Sequence, residues 1–158
     1  MKAISIQPIL FTTQMMNKES GIKCLVMMAN KEIIIPYELM DLNTYINNNR
    51  ANRMKGAKSK RAYTRLCALS VKAAINQGLE IKEGEMPIDL HFKWYVPNRK
   101  KDKDNIAFGK KFILDGMLKA GLLENDGWKQ IGNFKDSFYV DKENPRVVVE
   151  IEGVKHEI

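Results

Sequence analysis

The sequence is poor in cysteine, in long apolar runs and, over one long stretch, in acids. Cys24 and Cys67 are its two thiols, far apart in the chain, with no CxxC pair and no Cys/His cluster around them. That excludes a disulfide framework and a structural zinc site, and it makes a reducing cytoplasm the expected compartment. No apolar run reaches the roughly 18 residues that a membrane-spanning helix needs. Residues 3–11 are apolar but interrupted by Ser5, Gln7 and Pro8, a poor signal-peptide core. The expectation is a soluble intracellular protein with no membrane partner. No internal repeat or low-complexity tract is present.

The missing acids are more telling. From Leu42 to Leu79 there is no Asp or Glu, while Arg50, Arg53, Lys55, Lys58, Lys60, Arg61, Arg65 and Lys72 all fall in that stretch. Over the whole chain 26 Lys and Arg face 19 Asp and Glu, a formal net charge of +7. A net surplus alone fits either solubility or a polyanionic partner. Its concentration in one stretch points to phosphate contacts, where each neutralised phosphate releases counterions.

A length of 158 residues suits one domain that buries its own core. Residues 1–27 hold no sustained period of 2 or 3.6 and are read as an N-terminal extension, or as an added edge strand around Cys24-Leu25-Val26. The domain proper is expected to span 28–158, and Met28 would serve as an internal start.

Local patterns give the elements. Glu32-Ile33-Ile34-Ile35 reads as the start of a strand limited by Pro36. Residues 43–56, rich in Asn, read as a loop whose few apolar members are Tyr45 and Ile46. Ser59 is a fair N-cap for a helix with Ala62, Leu66, Leu69 and Ala73 on its buried stripe, ending near Gly78. Ile88, Leu90, Phe92, Trp94 and Val96 alternate with polar residues and stop at Pro97, the clearest strand in the chain. A helix is expected over 105–120, with Ile106, Ile113, Met117 and Ala120 on one face and Gly121 as its stop. Residues 128–140 and 146–151 read as a hairpin turning at Lys142-Glu143-Asn144-Pro145. These pieces predict an α+β fold in a single domain, roughly β-α-β-α-β-β, with a small mixed sheet packed by two main helices.

The chemistry concentrates just beyond the clearest strand, in Arg99-Lys100-Lys101-Asp102-Lys103-Asp104-Asn105. Phosphodiester cleavage at neutral pH needs an activated water and neutralisation of charge on phosphorus, and divalent metals on hard oxygen ligands supply both. Two carboxylates at i and i+2, with a third acid such as Asp126 from a later turn, could hold one or two such ions. The flanking lysines would keep the site acceptable to a polyanion. On a continuous helix Lys111 falls nearly two turns after Asp104 on the same side and leans back toward it, whereas Lys110 points elsewhere. Simpler roles exist for each: Asp104 as an N-cap, Lys111 as a surface partner of Asp115 at i+4, and His91 as a structural residue of the strand's polar face.

Asp102-Lys103-Asp104-Asn105, then Lys111, then Leu118-Lys119-Ala120-Gly121, then Asp126 with Ile131 after it, resembles the RusA family of Holliday junction resolvases, common in phages and prophages. Asn43-Thr44-Tyr45-Ile46-Asn47 with Arg50 and Lys60 resembles that family's N-terminal region. The resemblance implies a mixed α/β subunit acting as a homodimer on four-way DNA junctions, cutting by paired nicks with Mg²⁺, or Mn²⁺ in its place. Asp102, Asp104 and Asp126 would be the metal ligands and Lys111 the catalytic lysine. Asn43, Tyr45, Asn47, Arg50, Arg53, Lys55, Lys58, Lys60, Arg61, Arg65, Arg99, Lys100 and Lys101 are the expected DNA contacts. Two departures stand out: Phe108 occupies the position nearer DxDN where familiar members carry the lysine, and Glu124-Asn125-Asp126 replaces a pair of adjacent acids, which leaves Glu124 second to Asp126. The resemblance also implies a bacterial cytoplasm and a phage or prophage origin. The rival reading is a non-catalytic DNA- or RNA-binding protein whose Asp102 and Asp104 only cap a helix.

Overall fold

The computed structural model describes residues 31–153, so the expectations for residues 1–27 and for a start at Met28 lie outside it. In chain order the elements are β1 (Glu32–Pro36), α1 (Leu42–Ala51), α2 (Arg53–Asn76), β2 (Ile88–Val96), α3 (Lys103–Ala107), α4 (Lys110–Ala120), β3 (Ile131–Val140) and β4 (Arg146–Gly153). Strict alternation decides the sheet. All five apolar residues of β2 are buried, as are Ile33 and Ile35 of β1 and Val147, Val149 and Ile151 of β4. Against that face pack Cys67 and Val71 of α2 and Phe112, Ile113 and Met117 of α4, all in one cluster. Each fully buried side chain of this size contributes about 1.5–3 kcal/mol, so the central strand anchors the fold. The result is the expected α+β domain.

The strand order is β1-β4-β2-β3, with β2 parallel to β3 and antiparallel to β4. The expected hairpin is therefore absent: β3 and β4 follow one another in sequence, but β2 lies between them. The chain crosses the end of β2, where the Asp141 N–H donates to the Val96 carbonyl at 2.9 Å. Burial explains the order. β4 alternates fully buried residues and takes an interior place, while β3 buries only Ile131 fully and forms an edge. The sheet's second face is mixed, with Ile34, Val148 and the stacked Tyr95 and Tyr139 beside a polar cluster. In that cluster His91 bonds Ser137 at 2.8 Å and lies 3.2 Å from Glu150, next to the Lys93–Glu150 ion pair. His91 is structural.

Residues 43–56, expected as a loop, form α1 and the first turn of α2. Asp41 starts α1 by accepting the Thr44 N–H at 2.9 Å and the Thr44 hydroxyl at 3.0 Å. Asn52 separates the helices and caps α2 through the Met54 N–H at 2.8 Å. α1 buries no residue fully; Tyr45 anchors it, its ring 5.1 Å from that of Phe108 and 6.4 Å from that of Phe112. α2 thus begins six residues before Ser59, and its buried residues are Gly56, Cys67, Ala68, Val71 and Ala74, with Leu69 left 56% exposed.

Candidate active site

The segment that leaves β2 toward the acids is two helices instead of one. Gly109 N–H bonds the Ile106 carbonyl at 3.1 Å, Lys111 N–H that of Phe108 at 3.0 Å and Phe112 N–H that of Gly109 at 3.0 Å, a run of three-residue turns between α3 and α4. A 3₁₀ turn advances about 120° per residue where an α-helix advances about 100°, so the phase expected from a continuous helix is lost here. The cause is packing: Gly109 lies against Leu39 and the Trp94 ring, where an added Cβ would stand 3.1 Å from each.

Lys110 and Lys111 part accordingly. Lys110 turns onto the sheet, donating to Asp136 at 2.7 Å, with its ammonium 5.1 Å from the ring centres of both Phe92 and Phe134. Asp136 also accepts from Trp94 Nε1 at 2.8 Å. Lys111 is exposed and bonds Asp115 at i+4, at 3.1 Å, and Asp115 lies 3.8 Å from Lys60 of α2. The lysine does not point at Asp102 or Asp104.

Asp102 stands at the N-cap position of α3 yet makes no side-chain capping bond, and Asp104 lies in the first turn. Both are exposed. Asp126 sits elsewhere. β2 and β3 run parallel from the Ile88↔Ile131 pair to the Val96↔Val140 pair, and at about 3.3 Å per residue the sheet's two ends are some 26 Å apart. Asp102 follows the end of β2, whereas Asp126 precedes the start of β3, in a turn whose Gln130 carbonyl accepts the Ile88 N–H at 2.9 Å. Among the described residues no three His, Cys, Asp or Glu side chains are grouped to hold one metal ion. One chain brings Asp102 and Asp104 together and leaves Asp126 and Glu124 at the far end.

Among the expected DNA contacts, Asn43, Asn47, Arg50, Arg53, Lys55, Lys58, Arg61, Arg65, Arg99 and Lys100 are exposed. Tyr45 is half-buried in the aromatic cluster described above. Lys101 is committed to carboxylates, 2.8 Å from Glu38 and 3.1 Å from Asp41. Asp41 was missed in the sequence, although Asp41-Leu42-Asn43-Thr44 carries a capping signature. It is 7% exposed. Burial by itself would raise its carboxyl pKa, but the Thr44 N–H, the Lys101 ammonium and the Thr44 hydroxyl together hold it below the usual carboxylate range. Asp136 was missed as well; nothing in its neighbours' spacing marks an acid that bonds a buried indole.

No helix among the described residues is long and apolar enough to cross a membrane. No curated protein matches the chain. The sequence model of the endodeoxyribonuclease RusA family matches residues 36–152, from the end of β1 through nearly all of β4, and so takes in the acidic turn, the split helix and the basic face of α2. The chain belongs to the RusA endodeoxyribonuclease family.

Proposed function

We propose that the protein is a structure-selective nuclease that resolves four-way DNA junctions by paired, Mg²⁺-dependent nicks, as a homodimer acting in the cytoplasm of a bacterial host on phage or prophage DNA. One observation carries the metal assignment: the Asp102 and Asp104 carboxylates sit two residues apart on an exposed turn, and Asp102 occupies a capping position without capping. Mg²⁺ is commonly held by one or two carboxylates, with water and substrate oxygens completing its shell, and this pair meets that need. Mn²⁺ would fit the same oxygens. A bound ion of this kind lowers the pKa of its water and neutralises charge on the phosphate.

The chain's own groups do the rest. Arg50, Arg53, Lys55, Lys58, Arg61 and Arg65, exposed on a stretch without acids of its own, offer cations to the sugar-phosphate backbone, with Asp115 of α4 the acid beside Lys60. Lys111 is the better candidate to meet negative charge developing on the phosphate, because an exposed i,i+4 pair holds it by only a few tenths of a kcal/mol. Lys110 is held by Asp136 and two rings. Asp126 can join the metal ligands only if a second copy presents it, which gives the homodimer a chemical purpose. Trp128, two residues away and 96% exposed, is a ring suited to burial at such an interface.

Asp104→Asn is expected to abolish Mg²⁺-dependent cutting of a synthetic four-way junction while leaving junction affinity in EDTA within about twofold, since a neutral amide is a far poorer ligand for a hard cation. Gel assays of cleavage and binding on the same preparation decide it. Undiminished cutting would overturn the assignment, and a wild-type chain that binds junctions without cutting them under any divalent ion would favour the non-catalytic reading.

A further inference from the structure

We propose that Asp41 and Lys101 are positioning residues of this nuclease centre: one buried carboxylate caps α1 and, through Lys101, fixes the turn that carries Asp102 and Asp104. The inference rests on the reading of Asp102 and Asp104 as metal ligands. Asp41 is the one buried charged residue among the described residues. A buried carboxylate is tolerated only with partners, and each of its oxygens has one or more. Oδ1 accepts the Thr44 N–H at 2.9 Å; Oδ2 accepts the Thr44 hydroxyl at 3.0 Å and lies 3.1 Å from Lys101 Nζ. The same ammonium donates to Glu38 Oε1 at 2.8 Å.

Lys101 is joined by one peptide bond to Asp102. On its α3 side the acidic turn is held by the Asp102 and Asp104 carbonyls, which accept the Ile106 and Phe108 N–H groups at 3.1 and 3.2 Å, and by burial of Ile106. On its β2 side Asp102 makes no capping bond and Lys100 N–H reaches the neighbouring Asn98 Oδ1 at 3.0 Å, so there the clamp is the long-range tie. Fixing a free backbone residue costs conformational entropy, and the Glu38–Lys101–Asp41 clamp meets part of that cost before a metal or DNA arrives. It also gives Lys101 a different role from its neighbours. With two carboxylates against it, its charge is answered within the protein, although its side chain is exposed like those of Arg99 and Lys100. Finally, it makes one unit of the acidic turn and α1, which presents Asn43, Asn47 and Arg50.

The test uses the full chain with three substitutions. Asp41→Asn keeps a capping acceptor for Thr44 and removes the charge facing Lys101. Lys101→Met removes the ammonium, and Lys101→Arg restores a cation. Mn²⁺ binding without DNA, the Mg²⁺ concentration giving half-maximal junction cleavage, and junction affinity in EDTA are measured for each. Asp41→Asn and Lys101→Met are expected to weaken Mn²⁺ binding and raise the Mg²⁺ requirement about tenfold, the scale on which groups supporting metal ligands act. Junction affinity should change less than twofold, and Lys101→Arg should return the metal values toward wild type. Should Asp41→Asn fail to fold, Lys101→Met, altered at an exposed position, decides alone. Wild-type metal binding by Lys101→Met would overturn the clamp, as would a loss of junction affinity with the metal requirement unchanged, which would make Lys101 a DNA contact. A wild-type chain that binds no Mn²⁺ would instead remove the metal-ligand reading, and the clamp with it.

Discussion

Asp136 illustrates how much a single carboxylate does in this fold. It accepts from the indole of Trp94, which is 2% exposed, and pairs with Lys110, so it ties the start of α4 to the edge strand β3 and the central strand β2. Asp136→Ala leaves a buried N–H with no acceptor, a loss of about 1–3 kcal/mol. Asp136→Asn keeps an acceptor and should lose less than half as much. Urea unfolding of the two variants checks the ordering, and equal losses would show that the indole bond carries little. Asp136 was not legible as an anchor, because its partners Trp94 and Lys110 lie tens of residues away; at Asp41 the Thr44 cap is local, but the tie to Lys101 is equally distant and leaves no mark in the local pattern. Asp102 and Asp104 were legible for the opposite reason: their spacing, their lysine neighbours and the strand ahead of them are all local. The lysines show the limit of helical phase, which puts Lys111 beside the acids on a continuous helix. The tight turn at Gly109, set by Trp94 and Leu39, cannot be seen in the phase.

At the scale of elements, legibility follows how strongly each element is amphipathic. β2 alternates over its full length and was delimited correctly, and Gly121 closes α4 at a φ of 79° as its position after the last apolar residue implies. α1 has no apolar stripe; two caps and one ring hold it, so its asparagines read as loop. The crossing of α2 and α4 was invisible in either helix alone. At Gly116 an added Cβ would stand 2.7 Å from Cys67 Cβ and 2.9 Å from the Ala68 nitrogen, so only a glycine permits this approach. Gly116→Ala must push the helices apart or shift α2. The expected cost is about 1–3 kcal/mol despite alanine's higher helix propensity. Thermal unfolding measures it, and a second readout is the Cys67 thiol, fully buried and pushed up to about 12 by that burial. Looser packing should speed its labelling by a thiol reagent in the folded state. A variant as stable and as slowly labelled as wild type would mean that the helices separate at no cost.

The whole molecule poses the question that one chain leaves unanswered. Alternation shows which face of a strand is buried and says nothing of its neighbour, so the order β1-β4-β2-β3 and the placement of Asp126 opposite Asp102 emerged only with the fold. That placement turns the homodimer reading into a sharp experiment. In a C2 dimer whose sites each take Asp102 and Asp104 from one copy and Asp126 from the other, Asp104→Asn and Asp126→Asn should each inactivate both sites. In the mixed dimer one site carries both substitutions and the other carries neither. Co-refolding the two inactive variants should therefore restore cutting, with one working site per mixed dimer: single nicks in a four-way junction in place of paired ones. Were all three acids of a site drawn from one chain, no mixed dimer would hold an intact site and the mixture would stay silent. Recovery of nicking from two silent proteins would establish in one measurement that Asp126 acts across the two-fold axis and that the homodimer is the catalytic unit; continued silence from mixed dimers verified to have formed would return the third acid to a single chain and require the turn at Asp126 to move.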